Sequence, residues 1–132
     1  MPVPVAEQTT IVVRWMEARS ARDLESMLAC LAEDVDFHPL RLRGIAARCR
    51  GHRGVREWFA RLGQLRHEYR VMPSEVRTVG DGKVFVSGSL SLGGEPDIAP
   101  FCALHRIEDG LIVSAHECVT DPDMIERLGL IP

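Results

Sequence analysis

The sequence predicts an α+β domain: three helices in the N-terminal half, packed on a strongly curved antiparallel sheet that forms a cone-shaped cavity. Three observations lead there. Apolar residues recur at helical spacing only in the first half of the chain. In the second half they alternate along extended segments punctuated by turn residues. The 132 residues, 45% apolar and 27% charged, have the length and composition of one globular unit, so 1–132 reads as a single domain.

Each element has its own justification. Ile11, Val12, Trp15 and Met16 share one helical face and predict a helix over about 5–20. Leu24, Met27, Leu28 and Leu31 fit i, i+3, i+4, i+7 and predict a second helix near 22–32, with Asp23 as its N-cap and Glu25 at the positive end of its dipole. A short strand, Val35 to His38, stops at Pro39. Leu40 to Arg53 reads as a loop carrying five arginines, at 41, 43, 48, 50 and 53. Val55, Trp58, Phe59 and Leu62 predict the third helix, near 53–64. Tyr69, Val71, Val76 and Val79 bracket Pro73, which places a bulge or a sheet edge there. Gly80-Asp81-Gly82-Lys83, Gly93-Gly94 and Asp109-Gly110 are turn signals. They separate strands at Val84–Leu92, Ile98–Ile107 and Leu111–Val119. A terminal helical turn is expected at Pro122–Leu128, with proline in its first turn and Gly129 past its end.

The resulting order is α-α-β-α-β-β-β-β. An antiparallel sheet covered by helices on one face buries the apolar surfaces of both layers. Curving that sheet around the helices leaves a natural small-molecule site.

Composition removes several function classes. The net charge of −3 lacks the basic balance of a nucleic-acid module. Mean hydropathy is −0.03, and no apolar run approaches the ~20 residues of a membrane span. The opening MPVPVAEQTT has no basic segment followed by an apolar one, so a cytoplasmic location is expected. Fifteen arginines stand against one lysine, Lys83, a bias read mainly as base composition. Cys30, Cys49, Cys102 and Cys118 lie at least sixteen residues apart and read as free thiols, most of them buried. The five histidines form no metal-ligand pattern, so neither metal nor cofactor is expected.

Three segments carry a resemblance. RWMEARSARDLESMLACLAEDVDFHP resembles paired helices running into a first strand, GHRGVREWF a third helix entered through glycine, and HRIEDGLIVSAHE a closing hairpin. Together they resemble the nuclear-transport-factor-2-like superfamily, with its SnoaL-like polyketide cyclases and ketosteroid isomerases, over about 6–130. The resemblance implies that His38, before Pro39, takes the place of a catalytic base. Isomerase tyrosines fall on Trp15 and Phe59, and the second oxyanion acid falls near Ala103. The donors for steroid isomerisation by the tyrosine/aspartate mechanism are therefore missing. The His-x-Asp pattern seen on the last strand of SnoaL-like members is here Ala115-His116-Glu117, with the acid retained as Glu117.

Strand alternation puts Val113, Ala115, Glu117 and Val119 inside, along with Phe101, Ala103, His105 and Ile107. Leu104, Arg106, His116 and Cys118 then face out, on a surface expected to form a homodimer. Glu117 in an apolar setting is the candidate acid, and His38 or His105 the base. Glu117 is expected to hydrogen-bond His105, His38 or water; pairing with an arginine is the structural alternative. Trp15, Phe37, Trp58, Phe59, Phe101 and Ala103 are candidates to line the ligand site, and core packing explains the aromatic ones equally. The reading is cofactor-free acid–base chemistry on a mostly apolar small molecule. The alternative is a non-catalytic ligand-binding or dimerisation module whose cone is filled by Trp15, Trp58 and Phe59.

Overall fold

The computed structural model describes residues 5–40, 48–64, 69–92 and 98–119. Three helices, α1 (Val5–Ser20), α2 (Leu24–Ala29) and α3 (Gly51–Leu62), accompany six strands. The strands are β1 (Leu31–His38), β2 (Cys49–Arg50), β3 (Tyr69–Gly80), β4 (Lys83–Leu92), β5 (Ile98–Glu108) and β6 (Leu111–Val119). They form one open sheet in the order β2-β1-β6-β5-β4-β3.

The fold is α+β as the periodicities indicate, with one correction to the sheet. It is mixed, because β1 runs parallel to β6, with Phe37 beside Ala115 and His38 beside His116. The chain reaches that position through the β3-β4-β5-β6 meander, which returns β6 to the β1 side of the sheet. The other pairs, β1–β2, β3–β4, β4–β5 and β5–β6, are antiparallel.

Element boundaries follow local chemistry. Asp23 caps α2: its carboxylate accepts from the Ser26 backbone N–H at 3.2 Å and from the Ser26 hydroxyl at 2.6 Å. α2 is shorter than its apolar spacing suggests, since Cys30 is the C-cap and Leu31 already belongs to β1. Leu31 is buried as a strand residue, and its helical spacing from Leu24 is coincidental. β2 lies within the segment expected to be loop. Gly51 opens α3 at φ 69°, a left-handed conformation that glycine adopts without a Cβ penalty. β3 is an edge strand, and its register shifts between Pro73 and Glu75, where proline needs no ladder partner. Opposite Pro73 stands Gly88, where a Cβ would meet the Met72 carbonyl oxygen at 2.2 Å, so the bulge needs glycine. The Gly93-Gly94 turn and the terminal helical turn at Pro122–Leu128 lie outside the described residues.

The core sits between the helices and one face of the sheet. Trp15, Phe37 and Trp58 are its largest members, joined by Val12, Met27, Val55, Val84, Val86, Leu90 and Ile112. Inward facing on β5 and β6 follows alternation, with Phe101, Ala103, His105, Ile107 and Ala115 all buried. Val113 is the exception. The β5–β6 register shifts between Arg106 and Ile107, so Ile112 takes the buried place opposite Ile107 and Val113 becomes the extra, half-buried residue. Leu104, Arg106, His116 and Cys118 are on the other face, as alternation requires.

Candidate functional site: a buried ion pair in an aromatic box

The site is built on α1. Arg19 follows Trp15 by four residues, so both project from the same side of the helix. Phe37 on β1 meets Trp15 edge-to-face at 5.5 Å and Trp58 of α3 edge-to-face at 4.9 Å. The Arg19 guanidinium lies over all three rings, at 5.3 Å from Trp15, 5.4 Å from Trp58 and 5.9 Å from Phe37. Into this box reaches Glu117 of β6, whose side chain is wholly buried and accepts from Arg19 Nη1, with Nη2 at 3.4 Å from the other carboxylate oxygen.

Glu117 therefore takes the structural alternative, an arginine partner, and that arginine is Arg19. Neither His38 nor His105 hydrogen-bonds it; Arg19 does. The signal was present in the spacing: Val12, Trp15 and Arg19 at i, i+3, i+7 share one helical face. An arginine there is either snorkelling to solvent or paired inside, and only the fold decides which.

His105 lies on the same face, diagonal to Glu117, since Ala103 is directly opposite Glu117 and His105 opposite Ala115. Its ring is fully buried, and Nδ1 stands 3.3 Å from the Val84 carbonyl oxygen. A carbonyl only accepts, so Nδ1 carries the proton and Nε2 presents its lone pair. Burial, with a further push from Arg19, drops the His105 pKa to about 4, so the ring is neutral at pH 7. Nε2 has no hydrogen-bond partner among the described residues, and neither do the buried indole Nε1–H groups of Trp15 and Trp58. One acceptor and two donors thus remain unused in the interior that holds the ion pair. Such groups are costly to bury and are usually satisfied by water or ligand.

A cavity of about 30 Å³ opens beside the box, lined by Arg19, Met27, Trp58, Phe59, Leu62 and Val71, among others, with Arg22 and Arg70 also in its wall. It has room for about two waters. A wider groove of about 410 Å³ runs outside α1 and α2, past Ile11, Arg14 and Cys30, and shares no residue with the box.

The remaining candidates divide. Phe59 is half-buried at the cavity wall. Ala103 is buried opposite Glu117, where its small side chain leaves space for the carboxylate. Phe101 is buried two residues further along β5. His38 is the correction. Phe37 takes the inward position, so His38 points to the other face of the sheet. There it stacks on His116 at 4.0 Å and lies 3.1 Å from Asp36 through Nε2. Arg48 clasps the same carboxylate at 2.7 and 2.9 Å, and this guanidinium, with His38, holds Asp36 well below the usual carboxylate range. His38 is thus set apart from the box. Of the arginine-rich segment, Arg48 is ion-paired and Arg53 is solvated beside Glu57, while Arg41 and Arg43 lie outside the described residues. Among the described residues, no group of three or more His, Cys, Asp or Glu is placed to hold a metal ion. No helix among them is long and apolar enough to cross a membrane.

The class of the molecule is an α+β layer that holds a buried ion pair between its helices and its sheet. The sequence says which one: a SnoaL-like domain profile matches residues 12–115, and the chain belongs to that family. Solved structures agree on the fold. TerC, co-crystallised with polyporic acid, superposes with a TM-score of 0.78 at 20% identity, over 92% of this chain and 97% of TerC. A nuclear-transport-factor-2-like protein of unknown function from Burkholderia pseudomallei gives 0.78 at 26% identity, over 93% and 97%. An epoxide hydrolase of the LEH-like type from M. tuberculosis gives 0.70 at 21%, over 94% and 90%. No curated protein matches the sequence significantly.

Proposed function

We propose that this protein is a SnoaL-like enzyme, one domain over 1–132, that performs acid–base chemistry without a cofactor on a mostly apolar small molecule. The observation that carries the reading is the buried Arg19–Glu117 pair, set among three aromatic rings, with the Nε2 of His105 on the same sheet face unpartnered among the described residues. A carboxylate in an ion pair starts as a proton acceptor, so Glu117 serves as base and not as acid. Arg19 holds it in one orientation, which is what proton transfer at hydrogen-bond distance requires. The neutral His105 Nε2 accepts a second hydrogen bond from substrate or water. The indole N–H groups of Trp15 and Trp58 donate to a substrate oxygen that gains charge as the proton leaves. Neighbours of the same fold carry the names polyketide cyclase, epoxide hydrolase and ketosteroid isomerase, and abstraction of a proton from carbon or water is a first step open to all three.

Two further parts of the reading concern the whole molecule. The outer sheet face, with Met72, Val79 and Leu104 each more than a third exposed, suits association with a second copy. Four free thiols suit a reducing, cytoplasmic compartment.

The second reading, a non-catalytic ligand-binding or dimerisation module, is favoured by one observation: the cavity beside the rings and the guanidinium measures only about 30 Å³. The experiment separates the two. The protein is incubated with epoxides, polyketide-type ketones and polyporic acid, and consumption is followed by mass spectrometry. The enzyme reading expects turnover of at least one compound and a loss of about 10²–10⁴-fold in folded Glu117→Gln. Binding without turnover, or turnover that survives in Glu117→Gln, favours the module.

A further inference from the structure

The outer face of the hairpin carries a pair of side chains that the ion-pair site does not use. Cys102 of β5 stands directly opposite Cys118 of β6 in the antiparallel register, and alternation puts both on the face away from Glu117. Both thiols are free, Cys118 is exposed and Cys102 is half-buried. Directly opposed residues have Cβ atoms about 4.5–5.5 Å apart. A disulfide needs about 3.5–4.5 Å, with Cα atoms about 4.4–6.8 Å apart, so a small shear of the two strands brings the sulfurs into bonding range. The other two cysteines are different: Cys30 and Cys49 are buried, and burial pushes the Cys49 thiol up to about 11.

We propose that Cys102 and Cys118 form a reversible redox pair, closed to a cross-strand disulfide by exchange with glutathione disulfide. Cys118, exposed in the single chain before a second copy covers the outer face, attacks as thiolate one sulfur of glutathione disulfide. The S–S bond breaks, one glutathione thiolate leaves, and a mixed disulfide stands on Cys118. Cys102, whose thiol is raised by burial and by Cys118 beside it, is the resolving partner. Its thiolate attacks the Cys118 sulfur and releases the second glutathione. The protein loses two electrons and two protons, and glutathione disulfide becomes two glutathione thiols. Closure clamps the strand pair at the point where Glu117 precedes Cys118 and faces Ala103, so it acts on the register that presents Glu117 to Arg19.

The test uses the full chain, reduced and then equilibrated with glutathione disulfide, denatured, and alkylated with N-ethylmaleimide. Intact mass and peptide mapping are read. The expected product is a single chain two hydrogens lighter, with maleimide on Cys30 and Cys49 only and a linked peptide pair containing Cys102 and Cys118. Cys102→Ser is expected to stop at a glutathione adduct on Cys118, and glutathione in excess should restore four alkylated thiols in the unmutated chain. The proposal is overturned if the unmutated chain also stops at the adduct, forms only chain-to-chain disulfides, or keeps four alkylated thiols throughout.

Discussion

Arg19 of α1 and Glu117 of β6, separated by 98 positions in sequence, meet in a buried ion pair that three aromatic rings enclose. The pair ties the first helix to the last described strand. It also sets two charges in the interior, where each depends on the other.

That dependence is measurable. Breaking a buried pair from one side leaves an uncompensated charge and costs about 3–5 kcal/mol, whereas replacing both partners with apolar residues is often neutral. Arg19→Met and Glu117→Leu should each lower unfolding free energy by that amount in urea denaturation. The double variant should recover most of the loss, so that its total falls far below the sum of the two single losses. Two single losses that simply add would show that the groups act independently.

The aromatic box should be a stability determinant as well. Phe37 is fully buried and touches both tryptophans. Phe37→Ala should cost about 3–5 kcal/mol, read as a shift in denaturation midpoint without a change in slope.

His105 supplies a pH signature. Its folded value of about 4 lies below the ordinary 6.5, so the unfolded chain binds its proton more readily. The stabilising contribution is complete above pH 6.5 and is lost as pH falls from 6.5 towards 4. The size is roughly 3 kcal/mol. Stability measured across that window should fall with acid, and His105→Asn should lack that part of the slope. An equal slope in the variant would assign the acid sensitivity to other groups.

Two glycines make a paired control. At Gly88 a Cβ meets the Met72 carbonyl at 2.2 Å, while at Gly63 the nearest atom is the Ala60 carbonyl at 3.5 Å. Gly88→Ala should destabilise by more than about 1 kcal/mol because backbone must move. Gly63→Ala, at a helical φ of −64°, should be neutral or stabilising by about 0.4–1 kcal/mol. Thermal melts of the two variants decide this.

Local patterns made most of the fold legible. Alternation in Val84–Leu92 and Ile98–Ile107, the turn at Gly80–Lys83 and the spacing of Val55, Trp58 and Leu62 each describe a face that is buried in the structure. Glu117 and His105 were legible as inward residues for the same reason. Three things were not. The parallel pairing of β1 with β6 is a long-range choice that no local periodicity carries. The outward turn of His38 follows from Phe37 filling the core, a competition between adjacent residues that the neighbouring Pro39 does not reveal. Arg19 shares the Trp15 face, but charge on an apolar face becomes a site only when a distant carboxylate arrives opposite it.

In the proposed function, small molecules enter between the helices and the sheet, at the box around Arg19 and Glu117. The chain has two tryptophans, and both buried indole N–H groups border that box without acceptors among the described residues. The most direct measurement is therefore the pair of indole N–H signals in a ¹H–¹⁵N spectrum during titration with any compound that calorimetry shows to bind, polyporic acid among the first probes. Both signals should move saturably, with the same dissociation constant as the calorimetric one, and Glu117→Gln should alter that constant. A compound that binds while both indole signals stay in place would show that ligands bind elsewhere than at this box.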